Sequence, residues 1–197
     1  MKKLYSLVAK LNDENSPIFD LIVFMSEIYF RIFFRKFYKK ELVNFLRKFE
    51  LRGKTYEIRK IDERFALELY RMLSNLRTEF MPPHRNDLAS LKRILKNKSF
   101  FATGIFDGEK LIGYGLGRFF PLRRAVPAVV IAEGYQGKGL YVLWSRIMFK
   151  VVKEDFREYK FNMFSTVDKR NKIAINNNLK TGFKIVLDAG DFLVFRA

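Results

Sequence analysis

Residues 128–140 do most to limit what this chain can fold into. Val129-Val130-Ile131 is an unbroken β-branched run and reads as a buried strand. A glycine-bearing turn, 134–139, follows it, and apolar residues then recur at helical spacing from 140 to 152. Another strand pattern comes next, at 161–167. Strand, crossover helix and strand in that order make a βαβ unit. Upstream, Asp107-Gly108 is a hairpin signal between strand patterns at 99–106 and 111–120. A short strand at 56–59, helices at 62–76, 86–96 and 172–181, and final strands within 184–195 complete the series. Antiparallel hairpins joined to a βαβ crossover predict an α+β fold, a mixed and mostly antiparallel central sheet flanked by helices.

Composition narrows the chemistry. The 197 residues contain no cysteine, which excludes disulfides, thiolate metal sites and a cysteine nucleophile. His84 is the single histidine, so a multi-histidine centre is excluded and no metal is expected. The absence of cysteine fits a reducing compartment, and a cytoplasmic location is the expectation, with peripheral membrane contact left open. Lys and Arg number 38 against 21 Asp and Glu, a formal +17. Such a field attracts polyanions: nucleic acid, anionic lipid or a phosphorylated cofactor such as coenzyme A. The charge is spread along the chain, so it does not choose among them. No cleavable signal peptide is expected from the opening residues. The most apolar stretch, 18–34, is interrupted by Asp20, Glu27 and Arg31. A bilayer span needs roughly 20 mostly apolar residues, so no transmembrane helix is expected.

Two motifs carry chemistry. Gln136-Gly137-Lys138-Gly139-Leu140 opens a helix directly after a buried-looking strand. A loop of this kind leaves several N–H groups unpaired and pointing one way, and the helix dipole adds partial positive charge. Together they suit a pyrophosphate, and Lys138 adds a full charge. An ordinary glycine turn would read the same way in isolation. The second motif places Asn171, Ala174, Gly182 and Phe183 at the spacing N-x-x-A-x7-G-F. Ala174 allows close approach on the inner helix face. Asn171 can donate to and accept from an amide, Gly182 is a left-handed helix stop, and Phe183 plugs the core. A capped helix running into a strand is the plain alternative.

In this order, with Gln136 and Asn171 35 residues apart, the motifs resemble those of the GNAT superfamily of acyl-CoA N-acyltransferases. Gln136 to Gly139 is similar to the family's (Q/R)-x-x-G-x-(G/A) loop, and 171–183 to its N-x-x-A-x-x-x-Y-x-x-x-G-F segment. The resemblance covers roughly 56–197 and implies a GNAT-like domain over 55–197, with residues 1–54 as an amphipathic helical extension. It implies acetyl-CoA as co-substrate, with its pyrophosphate on the N–H groups of Gln136, Gly137, Lys138, Gly139 and Leu140. The pantetheine arm would pair with the backbone edge of Val130, Ile131 and Ala132, where the next strand splays away near 164–166. Asn171 would hold the arm or an ordered water. A primary amine of an unidentified acceptor would attack the thioester directly, with carbonyl-polarising donors acting as an oxyanion hole.

The sequence departs from the pattern twice. Tyr141 stands where the loop motif has glycine or alanine, and Asn178 stands where many members carry a tyrosine that protonates the leaving thiolate. Asn178 cannot be a general acid, though an amide can hydrogen-bond a sulfur. For the base that takes the amine's proton, the candidates are Glu133, His84 and Tyr114. The departures also leave open a GNAT-fold binding module with impaired catalysis. Nucleic-acid binding is disfavoured, because no recognised motif is present and phenylalanines at helical spacing are usually core.

In the extension, Leu21, Met25, Ile28 and Ile32 recur at helical spacing, and Leu42, Phe45, Leu46 and Phe49 continue it. One long helix or two shorter ones over 17–50, begun by Ser16-Pro17 and stopped near Gly53, are expected. This segment could pack on the domain, form a homodimer, bind a partner protein, or lie on an anionic membrane. In the last case Phe24, Tyr29, Phe30, Phe33, Phe34 and Phe37 would insert, with Arg31, Arg35, Lys36, Lys39 and Lys40 outside.

Overall fold

Arg52-Gly53 closes the first hairpin, both residues at positive φ (54° and 72°), as the twist of a two-residue connection requires. It joins β1 (Leu46–Leu51) to β2 (Lys54–Lys60), antiparallel from Leu46↔Arg59 to Leu51↔Lys54. The computed structural model describes residues 21, 24, 25, 28, 29, 32, 45–76, 87–97, 100–120, 124–154 and 162–197, with the side chains of 118–120 and 124–127 excepted. The helix expected to run to about residue 50 therefore stops earlier. Phe45, Phe49 and Leu51 also sit at odd positions, so a period of two serves them as well as a helical one. Phe45 is buried, and Phe49 stacks on Tyr56 with centroids 5.6 Å apart. The boundary expected at 54/55 falls inside this hairpin, and 46–51 belong to the same sheet as the rest.

Two aspartates begin the next helices. Asp62 accepts from the Arg64 N–H (3.0 Å) and starts a 3-10 turn, Glu63–Phe65, that leads into α1 (Ala66–Ser74). Asp87 accepts from the N–H groups of Ala89 (3.3 Å) and Ser90 (2.8 Å) at the head of α2 (Leu88–Lys96). The expected break at Met81-Pro82-Pro83 lies outside the described residues. β3 (Phe100–Asp107) and β4 (Lys110–Phe120) form the second hairpin. Its central residues are Gly108 and Glu109, one step beyond the expected pair, because Asp107 still pairs with Lys110. There follow β5 (Arg124–Ile131), α3 (Leu140–Glu154), β6 (Asn162–Asp168), α4 (Lys172–Lys180), β7 (Lys184–Ala189) and β8 (Phe192–Arg196).

The strands form one sheet in the order β1-β2-β3-β4-β5-β6-β8-β7. Among the described strands only β5 and β6 are parallel, as the βαβ reading requires. Leu69 and Leu73 of α1 and Leu91 and Leu95 of α2 cover one face with Ala102, Tyr114 and Leu116. Leu140, Trp144, Met148 and Val151 of α3 cover the other face with Phe101, Ile112, Ile131 and Met163. Trp144 fixes α3 to the sheet: its Nε1–H donates to Thr103 Oγ1 (2.9 Å), whose hydroxyl donates to the Gly115 carbonyl (3.2 Å). The indole lies so close to Gly115 that any Cβ there would collide with its ring. Gly115→Val is therefore expected to cost about 3 kcal/mol of stability by overpacking, read as a lower urea midpoint at unchanged m value.

Candidate functional site

The site begins where the β5–β6 ladder ends. Among the described residues these strands pair only at Arg124↔Asn162 and Ala125↔Met163, and β6 then continues with β8 on its far side. The remaining length of β5 thus keeps an edge that β6 does not use. Which residues serve that edge follows from the pairing with β4. The Ala132 N–H donates to the Ile112 carbonyl (2.8 Å), and Tyr114 is opposite Val130. Antiparallel alternation then turns the backbone groups of Val130 and Ala132 toward β4, and those of Val129 and Ile131 toward the open side. Of the expected trio Val130, Ile131 and Ala132, only Ile131 offers backbone groups to the gap. Its carbonyl accepts from Gln136 Nε2 (3.0 Å), so the loop's own side chain covers that acceptor.

After Ala132 the chain makes a 3-10 turn, Glu133–Tyr135, and reaches the glycines. The Gln136 N–H is used by the Glu133 carbonyl (3.2 Å), which removes it from the expected anion cradle. The N–H groups of Gly137, Lys138, Gly139 and Leu140 have no hydrogen-bond acceptor among the described residues. Gly137 (φ 71°) and Gly139 (φ 90°) lie in the left-handed region, and a Cβ at either would meet nothing within 4 Å. Backbone donors, open space above them and the head of the 15-residue α3 converge there. These features fit a pyrophosphate.

A polar chain that sequence reading missed holds this loop. The Tyr135 hydroxyl donates to Asp107 Oδ2 (2.9 Å), and Lys54 Nζ donates to the same oxygen (2.6 Å). Lys138 Nζ lies 4.6 Å from the centroid of the Tyr135 ring. Lys54, and then Tyr135, hold the Asp107 carboxyl below its ordinary range, and Asp107 raises the Tyr135 phenol. A depressed carboxyl supports the fold above its ordinary pKa and loses that support only as pH falls through the lower folded value. Acetyl-CoA affinity should thus owe no pH dependence to this anchor between about pH 5 and 8. Asp107→Ala, by loosening the loop, is expected to weaken that affinity about fivefold in calorimetric titration. The only sequence signal was Asp107 itself, legible as a turn residue.

The two departures from the motif pattern meet in space. Tyr141, near the head of α3, donates its hydroxyl to Asn178 Oδ1 on α4 (2.8 Å). Asn178 is buried, and its Nδ2 donates to Ser165 Oγ on β6 (3.0 Å). Both ends of the Asn178 amide are thus engaged inside the protein. Burial pushes the Tyr141 phenol up to about 12, with a hydrogen bond to Ser145 pulling the other way. Asn171 is the N-cap of α4: its Oδ1 accepts from the Ala174 N–H (3.0 Å), and its amino group has no hydrogen-bond acceptor among the described residues. Gly182 has φ 92° and Phe183 is buried, as the motif predicts. Glu133 is exposed beside the loop. Tyr114 is buried on the α1–α2 face, away from the loop. His84 lies outside the described residues.

No family model matches the chain, and no curated protein matches it. Solved structures do. The ribosomal-protein-S5-alanine acetyltransferase from Vibrio fischeri has a TM-score of 0.60 at 16% identity, over 77% of this chain and 96% of that one. The GNAT domain of S. lividans PAT has a TM-score of 0.65 at 16% identity, with the same shares of each chain, 77% and 96%. AAC(6')-Ib, solved with acetyl-CoA, has a TM-score of 0.58 at 18% identity, over 72% of this chain and 91% of that one. The chain has the GNAT acyltransferase fold, a mixed α+β sheet whose strands β1 to β5 are antiparallel.

Proposed function

We propose that the chain is an acyl-CoA-dependent N-acyltransferase that moves an acetyl group from acetyl-CoA to a primary amine by direct attack. The observation that carries this reading is the conjunction at the end of β5. A strand edge that β6 does not use leads straight into N–H groups at a helix head that have no acceptor among the described residues, in a fold shared with AAC(6')-Ib, solved with acetyl-CoA. When bound, acetyl-CoA supplies an acyl group already activated as a thioester. Gly137 to Leu140 hold the pyrophosphate, and Lys138 adds charge. Ile131 offers the arm a strand-like pairing once the Gln136 side chain turns away. The amino group of Asn171 steadies the arm or a water. Asn178, with both amide ends engaged, is not free to serve the sulfur; the adjoining Tyr141 phenol stays protonated at neutral pH, and its O–H reaches a leaving thiolate only by turning away from Asn178 Oδ1. Glu133 is the exposed carboxylate beside the loop that could receive the amine's proton.

The engaged Asn178 also favours a second reading, a GNAT-fold module that binds acetyl-CoA without turning it over. A screen of small amines, amino sugars, amino acids and peptides with acetyl-CoA separates the two. With no cysteine in the chain, a thiol reagent reads only released coenzyme A. Amine-dependent thiol release supports the enzyme, whereas tight binding with none across the screen supports the module. Nucleic-acid binding would show as affinity falling steeply with salt.

A further inference from the structure

An apolar strip lies upstream of the sheet, outside the site described above. Leu21, Phe24, Met25, Ile28 and Ile32 are helical and exposed, Phe24 at 58% and Ile32 at 66%. Helical spacing gathers all of them within about 100° of the helix circumference. Tyr29, off this strip, is half-buried against the core cluster that contains Phe45 and Tyr56. Tyr29 thus ties the helix to the domain while the strip faces outward. A continuous row of large apolar side chains in water marks a contact surface.

The neighbouring sequence indicates what that surface meets. Arg31, Arg35, Lys36, Lys39 and Lys40 fall within 31–40, which has no acidic residue, and Arg52 is exposed at the tip of the β1–β2 hairpin. Among the described residues no helix is long and apolar enough to cross a membrane. We propose that the strip docks the chain on an anionic lipid surface, the helix lying in the plane of the interface. The apolar row enters the acyl boundary, and the cations that follow it meet the headgroups. A second copy is a poorer occupant, because pairing two such segments sets like charges together. Of the aromatic residues expected to insert, Phe24 is placed to do so, whereas Tyr29 faces the domain. Phe30, Phe33, Phe34 and Phe37 lie outside the described residues.

The test is flotation of the full chain with vesicles of phosphatidylcholine alone and of phosphatidylcholine containing about a quarter phosphatidylserine. Binding to the anionic vesicles should exceed binding to the neutral ones at least about tenfold and fall with added salt. A Phe24→Asp, Ile28→Asp variant should lose at least about tenfold of it while keeping its urea midpoint and acetyl-CoA affinity. An Arg35→Glu, Lys36→Glu variant, which leaves the strip intact, should lose it too. Equal or absent binding to the two vesicle types overturns the proposal. So does full binding by either variant, or a dimer in solution that the Phe24→Asp, Ile28→Asp variant abolishes. The assay contains no acyl donor, so its result stands apart from the acyltransferase reading.

Discussion

Carboxylates placed at Gly137 and Gly139 together are expected to abolish acetyl-CoA binding, with affinity falling at least about a hundredfold. Two effects add. Each position has a φ that side chains with a Cβ rarely adopt, so the loop must rearrange to accept the substitution. Each new charge also sits at the positive end of α3, where it repels a pyrophosphate and competes for the same N–H groups. Neither glycine touches other atoms at its Cβ position, so the core should be undisturbed and the urea midpoint should move little. Calorimetric titration of the folded double variant checks this. Retained micromolar affinity would mean that the phosphates lie elsewhere.

Asn178→Leu is expected to be among the most destabilising single substitutions at the site. It removes the partner of the Tyr141 hydroxyl and of the Ser165 hydroxyl at once, and Ser165 is buried. Each buried group left unpaired costs about 1–3 kcal/mol, so a total of about 2–6 kcal/mol is expected in urea unfolding. The converse experiment is more pointed. Asn178→Tyr restores the residue of the family pattern but pushes a ring into the space that Tyr141 fills, and should also destabilise. Adding Tyr141→Ala makes that room and restores the small residue of the loop pattern. The double variant should recover part of the loss, giving a coupling energy of about 1–3 kcal/mol. Strict additivity would show that the two departures are independent.

Much of the site was legible because its signals are local. The β-branched run at 129–131, the glycine-bearing turn and the helical period from Leu140 are each set by neighbours in sequence and stand as strand, turn and helix, although Val129 and Val130 are half-buried and only Ile131 is buried. The same holds for the Gly182 stop, whereas Asn171, read first as a contact for the arm, caps its helix as the plain alternative had it. What escaped depends on distant partners. Sequence could not say that Ile131, and not Val130 or Ala132, faces the open edge, because the register with Gly113 on β4 decides it. It could not join Tyr135 to Asp107 and Lys54, which come from separate hairpins. Tyr141 and Asn178 looked like unrelated departures because α3 and α4 bring them together across 37 positions. β1 was misread as helix because Phe45 and Phe49 satisfy both periods.

The most direct measurement is calorimetric titration of the unmodified 197-residue chain with acetyl-CoA and with coenzyme A. One site per chain and micromolar affinity for both are expected, since the proposed contacts lie on the pyrophosphate and arm that the two ligands share. A folded protein that binds neither would contradict the proposed function.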